Sequence, residues 1–118
     1  MHTRVLTGIT TTGTPHLGNY VGAIRPAIQA SRDPNVDAFY FMADYHALIK
    51  SDDADRVEAS RLMITASWLA AGLDPATPAI AVANATRPDE AIIAGTVADI
   101  AGRTATPDGP VLVMIGRV

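Results

Sequence analysis

A short apolar stretch, Arg4-Val-Leu-Thr7, runs straight into Gly8-Ile-Thr-Thr-Thr-Gly13-Thr-Pro-His16-Leu-Gly18-Asn19-Tyr. A strand that passes through a Gly- and Thr-rich turn into a helix leaves few folds open, and it has the local chemistry of a nucleotide phosphate site. Gly8, Gly13 and Gly18 are expected to permit positive φ and close backbone approach to a ligand. The hydroxyls of Thr10, Thr11 and Thr12 can donate to phosphate oxygens. The helix that follows would aim its unpaired N–H groups and positive dipole end at the occupant. Residues 4–9 read as a buried strand and residues 16–31 as a helix, with Pro15 suited to a helix start. Leu17, Tyr20, Val21, Ile24 and Ile28 form the apolar stripe. Pro26 should kink that helix or end it early.

The run Val36 to Ala43, after the turn Arg32-Asp-Pro-Asn35, reads as a second strand. Asp53 is a suitable N-cap for a long helix ending near Gly72. Val57, Leu62, Ile64, Trp68 and Leu69 mark its apolar face, with Trp68 assigned to the core. Strand, helix, strand, helix at this spacing predicts a parallel βαβ unit with a right-handed crossover. Ligands bind beyond the carboxyl ends of such strands. That places the Thr-rich turn and Ala43-Asp44-Tyr45-His46 in one site.

From Thr77 the character changes. Apolar runs near 79–83, 91–94 and 111–115 are separated by turn residues, and a short helix is expected over 96–103. The fold class is therefore α/β: a Rossmann-like parallel βαβ start, completed by additional short strands and a short helix. The last run is almost uncharged, and an unpaired edge there would favour aggregation or a homodimer.

The chain has 118 residues, enough for one domain with a core. Its net charge of −3 gives no general basic surface for nucleic acid. It has no cysteine, which removes disulfides, thiolate metal sites and Cys nucleophiles. No apolar run approaches about 20 residues, and the first residues carry no secretory pattern, so no membrane span is expected and cytoplasm is the default.

Beyond these local patterns, His16-Leu17-Gly18-Asn19 resembles the His-x-Gly-x opening of class I aminoacyl-tRNA synthetases, with Asn19 in place of the second His as in the tryptophanyl type. Tyr20-Val-Gly22-Ala-Ile and Phe39-Tyr-Phe-Met-Ala-Asp44-Tyr-His46-Ala-Leu are similar to the same family, and the resemblance covers about Arg4 to Pro75. It implies ATP-dependent activation of tryptophan, with Mg2+ arriving with ATP. It implies that Thr10, Thr11, Thr12, Gly18 and Asn19 contact ATP, with His16 and Asn19 as the catalytic pair. It also implies that Leu6, Ala43 and His46 line a tryptophan pocket. Thr10 stands where many relatives carry Gln. The family's Lys-Met-Ser-Lys-Ser-like loop does not occur in these residues, whose single lysine is Lys50. An enzyme of this kind would be a ligase with weak or no turnover, and tRNA is not expected as a partner.

The stretch from about Gly72 to Val118 resembles instead the C-terminal end of uroporphyrinogen-III C-methyltransferases. The similar pieces are Thr77-Pro78-Ala79, Val82-Ala-Asn84-Ala-Thr86, Ile93-Ala-Gly95-Thr96 and the closing Pro110-Val-Leu-Val-Met-Ile-Gly116-Arg-Val118. That resemblance implies S-adenosylmethionine as the alternative cofactor, touched by the turn that holds Ala85. The expected organisation is a synthetase-like nucleotide region over 1–75 and a methyltransferase-like strand segment over 76–118, fused and packed as one domain.

Overall fold

The computed structural model describes residues 3–50, 52–105 and 108–116. Arg117 and Val118, at the end of the closing run quoted above, lie outside the described residues. The chain divides into two compact units, Met1–Leu73 and Asp74–Val118.

In the first unit, β1 (Thr3–Ile9) pairs in parallel with β2 (Val36–Met42), in a register that sets Thr3 opposite Val36 and Ile9 opposite Met42. This is the expected parallel pair, with both strands ending level. β1 is not the fully buried strand expected from its apolar run. Its side chains alternate between sheltered and exposed, Leu6 is 70% exposed and only Ile9 is buried. Alternation of this kind belongs to a strand with one covered face.

Between the strands runs α1 (Leu17–Asn19), a π-helical turn (Tyr20–Ile24) and α2 (Arg25–Ser31). Of the two outcomes expected of Pro26, an early end does not occur, and burial continues past it. Proline has no N–H to return to the preceding turn. The chain has already widened there, with the Arg25 N–H reaching back five residues to the Tyr20 carbonyl. Pro26 then sits in the first turn of α2, where its missing donor matters least. Ile24, Ala27 and Ile28 are buried.

A four-residue helix, α3 (Asp44–Ala47), follows β2, and α4 (Ala54–Ala70) closes the unit. The Asp53 carboxylate accepts from the Arg56 N–H at 3.0 Å, as a cap should. At the other end the Leu73 N–H reaches the Trp68 carbonyl and the Gly72 N–H reaches Leu69, with Gly72 at φ +103°. That is a Schellman ending, and it needs the left-handed residue that glycine supplies. The buried line of α4 is Ser60, Ile64 and Trp68, spaced by four residues. Leu62, at 62% exposure, and Leu69 fall outside it, so the predicted apolar face is only partly the real one.

In the second unit, β3 (Pro78–Ala83) pairs antiparallel with both β4 (Ala91–Thr96) and β5 (Val111–Gly116). Ala79, Ala81 and Ile100 form its core, with Ile93 and Ile115 packed against them. The short helix α5 covers Ile100–Arg103 rather than the whole of 96–103. Residues 97–99 are held in a turn, because the Asp99 carboxylate accepts from the Thr96 N–H and hydroxyl and from the Arg103 guanidinium.

Candidate functional site

The Thr-rich turn leaves the carboxyl end of β1 at Thr10. The Ala43 N–H donates to the Ile9 carbonyl at 2.9 Å, so the first residue after β2 lies beside the start of the turn. The two segments that the sequence assigned to one site are therefore neighbours at their first residues.

The turn lines a pocket of about 250 Å3 with Thr10, Thr12, Gly13, His16 and Asn19 on its walls. His16 and Asn19 form a reciprocal cap. The His16 Nδ1 accepts from the Gly18 N–H at 3.0 Å and the Asn19 N–H at 3.4 Å, while the His16 N–H donates to Asn19 Oδ1 at 3.0 Å. An Nδ1 that accepts carries no proton, so the neutral imidazole holds its hydrogen on Nε2 and offers a donor there.

This cap changes how an anion could be held. The helix was expected to present unpaired N–H groups, but those of His16, Gly18 and Asn19 are taken within the cap. The Thr12 N–H donates to the Thr10 carbonyl and the Gly13 N–H to Ser60 Oγ. The side-chain donors among the residues that line this pocket are the Thr10, Thr12 and Thr14 hydroxyls, the Asn19 Nδ2–H2 and the imidazole Nε2–H.

The glycines act differently from their expected role. None of Gly8, Gly13 and Gly18 has positive φ. A side chain at Gly8 would run into the Phe41 ring, and one at Gly18 would meet His16 Cε1 at 2.9 Å. Gly18 thus makes room for the capping imidazole. Gly13 alone has open space around it.

Thr11 is fully buried, and its hydroxyl has no hydrogen-bond partner. It is not on the pocket wall that carries Thr10 and Thr12. Leu6 lines a separate recess of about 330 Å3 with Gly8, Gly22 and Pro26. His46 is exposed on α3. Asp44, beside it, places Oδ2 3.8 Å from Arg61 Nη1 and leaves a buried Oδ1 without a partner. In the second unit Ala85 is exposed between Asn84 and Thr86, both at positive φ.

Two residues of the turn's surroundings escaped the sequence reading. Ser60 of α4 accepts from the Gly13 N–H at 3.0 Å and donates to the Gly13 carbonyl at 2.8 Å. Arg56, one turn earlier, donates to the Thr12 carbonyl at 3.3 Å. The available signal was a serine in the line of residues, four apart, that α4 buries.

Comparison with known proteins gives this arrangement its class. The family model of class I tRNA synthetases (W and Y) matches residues 1–104, and the chain belongs to that family. Among curated relatives, tryptophan–tRNA ligase of Bordetella pertussis is 79% identical over 75 residues, which is 64% of this chain and 17% of that protein. The Pseudomonas putida ligase is 75% identical and the Xanthomonas axonopodis one 68%, over the same shares. The match thus spans about one-sixth of these relatives' length. Two solved structures of uroporphyrin III C-methyltransferase from Thermus thermophilus align with 96% of this chain and with 40% and 42% of theirs. Their TM-scores are 0.46 and 0.48, at 19% and 20% identity. No helix of the described residues is long and apolar enough to cross a membrane.

Proposed function

We propose that the first unit binds ATP and tryptophan as the nucleotide part of a tryptophanyl-type synthetase site, with formation of tryptophanyl-adenylate slow or absent. The observation that carries this is the pocket of Thr10, Thr12, His16 and Asn19, whose side chains supply hydrogen-bond donors suited to a ligand rich in acceptors. In the reaction, a tryptophan carboxylate oxygen bonds to the α-phosphorus of ATP and the bond to pyrophosphate breaks. The residues would hold the reactants and stabilise charge on the transferring group. His16 Nε2–H and the Thr10 and Thr12 hydroxyls donate to phosphate or ribose oxygens, Gly18 keeps the imidazole in place, and Asn19 locks its orientation. Ala43, His46 and Leu6 are assigned to tryptophan by resemblance alone. Mg2+ would enter with the phosphates.

Slow turnover follows from what the pocket lacks. Its volume is below the roughly 300–1,000 Å3 of ordinary ligand sites, so it holds a part of ATP. No lysine lines it, and a transferring phosphoryl group needs cations. The second unit is assigned a structural role, because Asn84, Glu90 and Asp99 spend their polar groups on their own turns. We further propose that it was joined to the first by fusion, and that tRNA is not a partner of these residues. The test is tryptophan-dependent exchange of pyrophosphate into ATP, run beside calorimetric titration with ATP. Binding that His16→Ala weakens supports the reading. A flat calorimetric trace together with no exchange above the His16→Ala chain removes it.

A further inference from the structure

The hydroxyl of Ser60 grips both polar atoms of Gly13, a turn residue beside this pocket. It is 4% exposed and bonds both the N–H and the carbonyl of Gly13, 47 residues away in sequence. Gly13 has no side chain, and a Cβ there would meet nothing within 4 Å, so no side-chain packing holds its backbone in place. Gly13 and Thr14 also stand between two recesses. One is the pocket of Thr12, His16 and Asn19, and the other, of about 310 Å3, is lined by Arg56, Ala59, Ser60 and Met63 of α4. A shift of Gly13 would move both walls.

We propose that Ser60 is a positioning residue for the nucleotide: its paired bonds to Gly13 fix the turn so that the Thr12 hydroxyl and the His16 cap converge on one ligand group. The inference rests on the ATP reading above, and extends it to a residue outside the lining of the His16 pocket. It also explains why a hydroxyl is buried on α4 between the apolar Ile64 and the helix start. A buried hydroxyl is retained where it satisfies partners that would otherwise be stranded. Here the partners are the backbone atoms of a glycine in the binding turn. Arg56 adds a second, exposed tie to the Thr12 carbonyl, so α4 holds two consecutive residues of the turn.

The experiment compares wild type with Ser60→Ala, Ser60→Cys and Ser60→Thr in the full chain, using Mg-ATP and adenosine as probes well below the melting temperature. Loss of the paired hydrogen bonds to Gly13 should weaken Mg-ATP about tenfold in the Ala and Cys chains, with Thr restoring it. Adenosine, which lacks phosphates, should change by less than about twofold, a split that plain destabilisation would not produce. Amide hydrogen exchange at Gly13 in the ligand-free chain should speed up by at least about tenfold in the same variants. If Ser60→Ala does not fold, the Cys and Thr chains decide alone. Equal Mg-ATP affinity in Ser60→Cys and wild type overturns this inference and leaves the ATP reading standing. A wild-type chain that binds no ATP overturns that reading and this role with it, and the exchange at Gly13 then reports only whether the clamp exists.

Discussion

The rings of Tyr40 and Trp68 meet edge to face, with centroids 5.4 Å apart and planes at 63°. Both are essentially fully buried, and the Tyr40 hydroxyl donates to the Ala27 carbonyl at 2.9 Å. One ring pair therefore ties β2 to α4, and its hydroxyl ties β2 to α2. Replacing Trp68 by alanine should destabilise the first unit by about 3–5 kcal/mol, through lost burial and the cavity left behind. Trp68→Phe should lose much less, because it keeps an aromatic edge and removes an indole N–H that has no partner. Urea melts followed by circular dichroism will rank the two. Equal losses would mean that a phenyl ring at position 68 recovers neither the lost burial nor the contact with Tyr40.

Thr11 presents the opposite case. Its hydroxyl is buried and unpaired, so Thr11→Val should be neutral or raise stability by up to about 1 kcal/mol. ATP affinity should not change, in contrast with Thr12→Val. A large drop in affinity for the Thr11 variant would return that hydroxyl to the binding site.

Gly18→Ala separates stability from function. The new methyl would displace the His16 ring and end the cap, a loss of about 1 kcal/mol. Alanine in place of glycine in a helical turn returns about the same amount. The melting temperature should stay within a few degrees while ATP affinity falls. A melting temperature that collapses would show that the cap supports the fold more than the site.

The two units should respond to opposite ends of the pH scale. Hydrogen bonds from the Thr96 N–H, then from Arg103, hold the Asp99 carboxyl below its ordinary range. A depressed carboxylate contributes stability above its unfolded pKa and loses it as pH falls through the folded value. Asp99→Asn should therefore flatten the acid side of the second unit's melt. Burial raises the Tyr40 phenol, outweighing a hydrogen bond with Ser31 that lowers it. Its contribution is full below about pH 10 and is lost as pH rises through the folded value. Tyr40→Phe should reduce the alkaline sensitivity of the first unit, read by the fluorescence of Trp68, the chain's single tryptophan. Unchanged profiles in both variants would remove these assignments.

What the sequence made legible was whatever is written locally. Asp53 and Gly72 mark the ends of α4 because a cap and a left-handed ending depend on nearby residues alone. The parallel pairing of β1 with β2 followed from the spacing of two apolar runs around a helix. The Thr-rich turn and His16 were found by motif. The motif did not show that Nδ1 is spent on the cap, nor that Gly18 yields its space to the ring. Thr10, Thr11 and Thr12 look equivalent in sequence, yet the middle residue is buried and its two neighbours line the pocket, which composition alone does not distinguish. Ser60 was invisible for a different reason. Its partner lies 47 residues away, and only the folded chain brings the two together. Leu62 and Leu69 misled because apolar character does not by itself place a side chain inside.

The widened turn at Tyr20–Ile24 has a consequence for change in chain length. An ordinary helix that loses a residue rotates everything beyond the cut by about 100°. A stretch that already takes five residues where four would serve has slack at that point. Removing Ala23 there should let the run tighten into regular α-helix while Ile24, Ala27 and Ile28 keep their inward bearing. The same deletion placed in α4 would swing Ile64 or Trp68 out of the core. Between β1 and β2, the chain carries a built-in allowance for the loss of one residue.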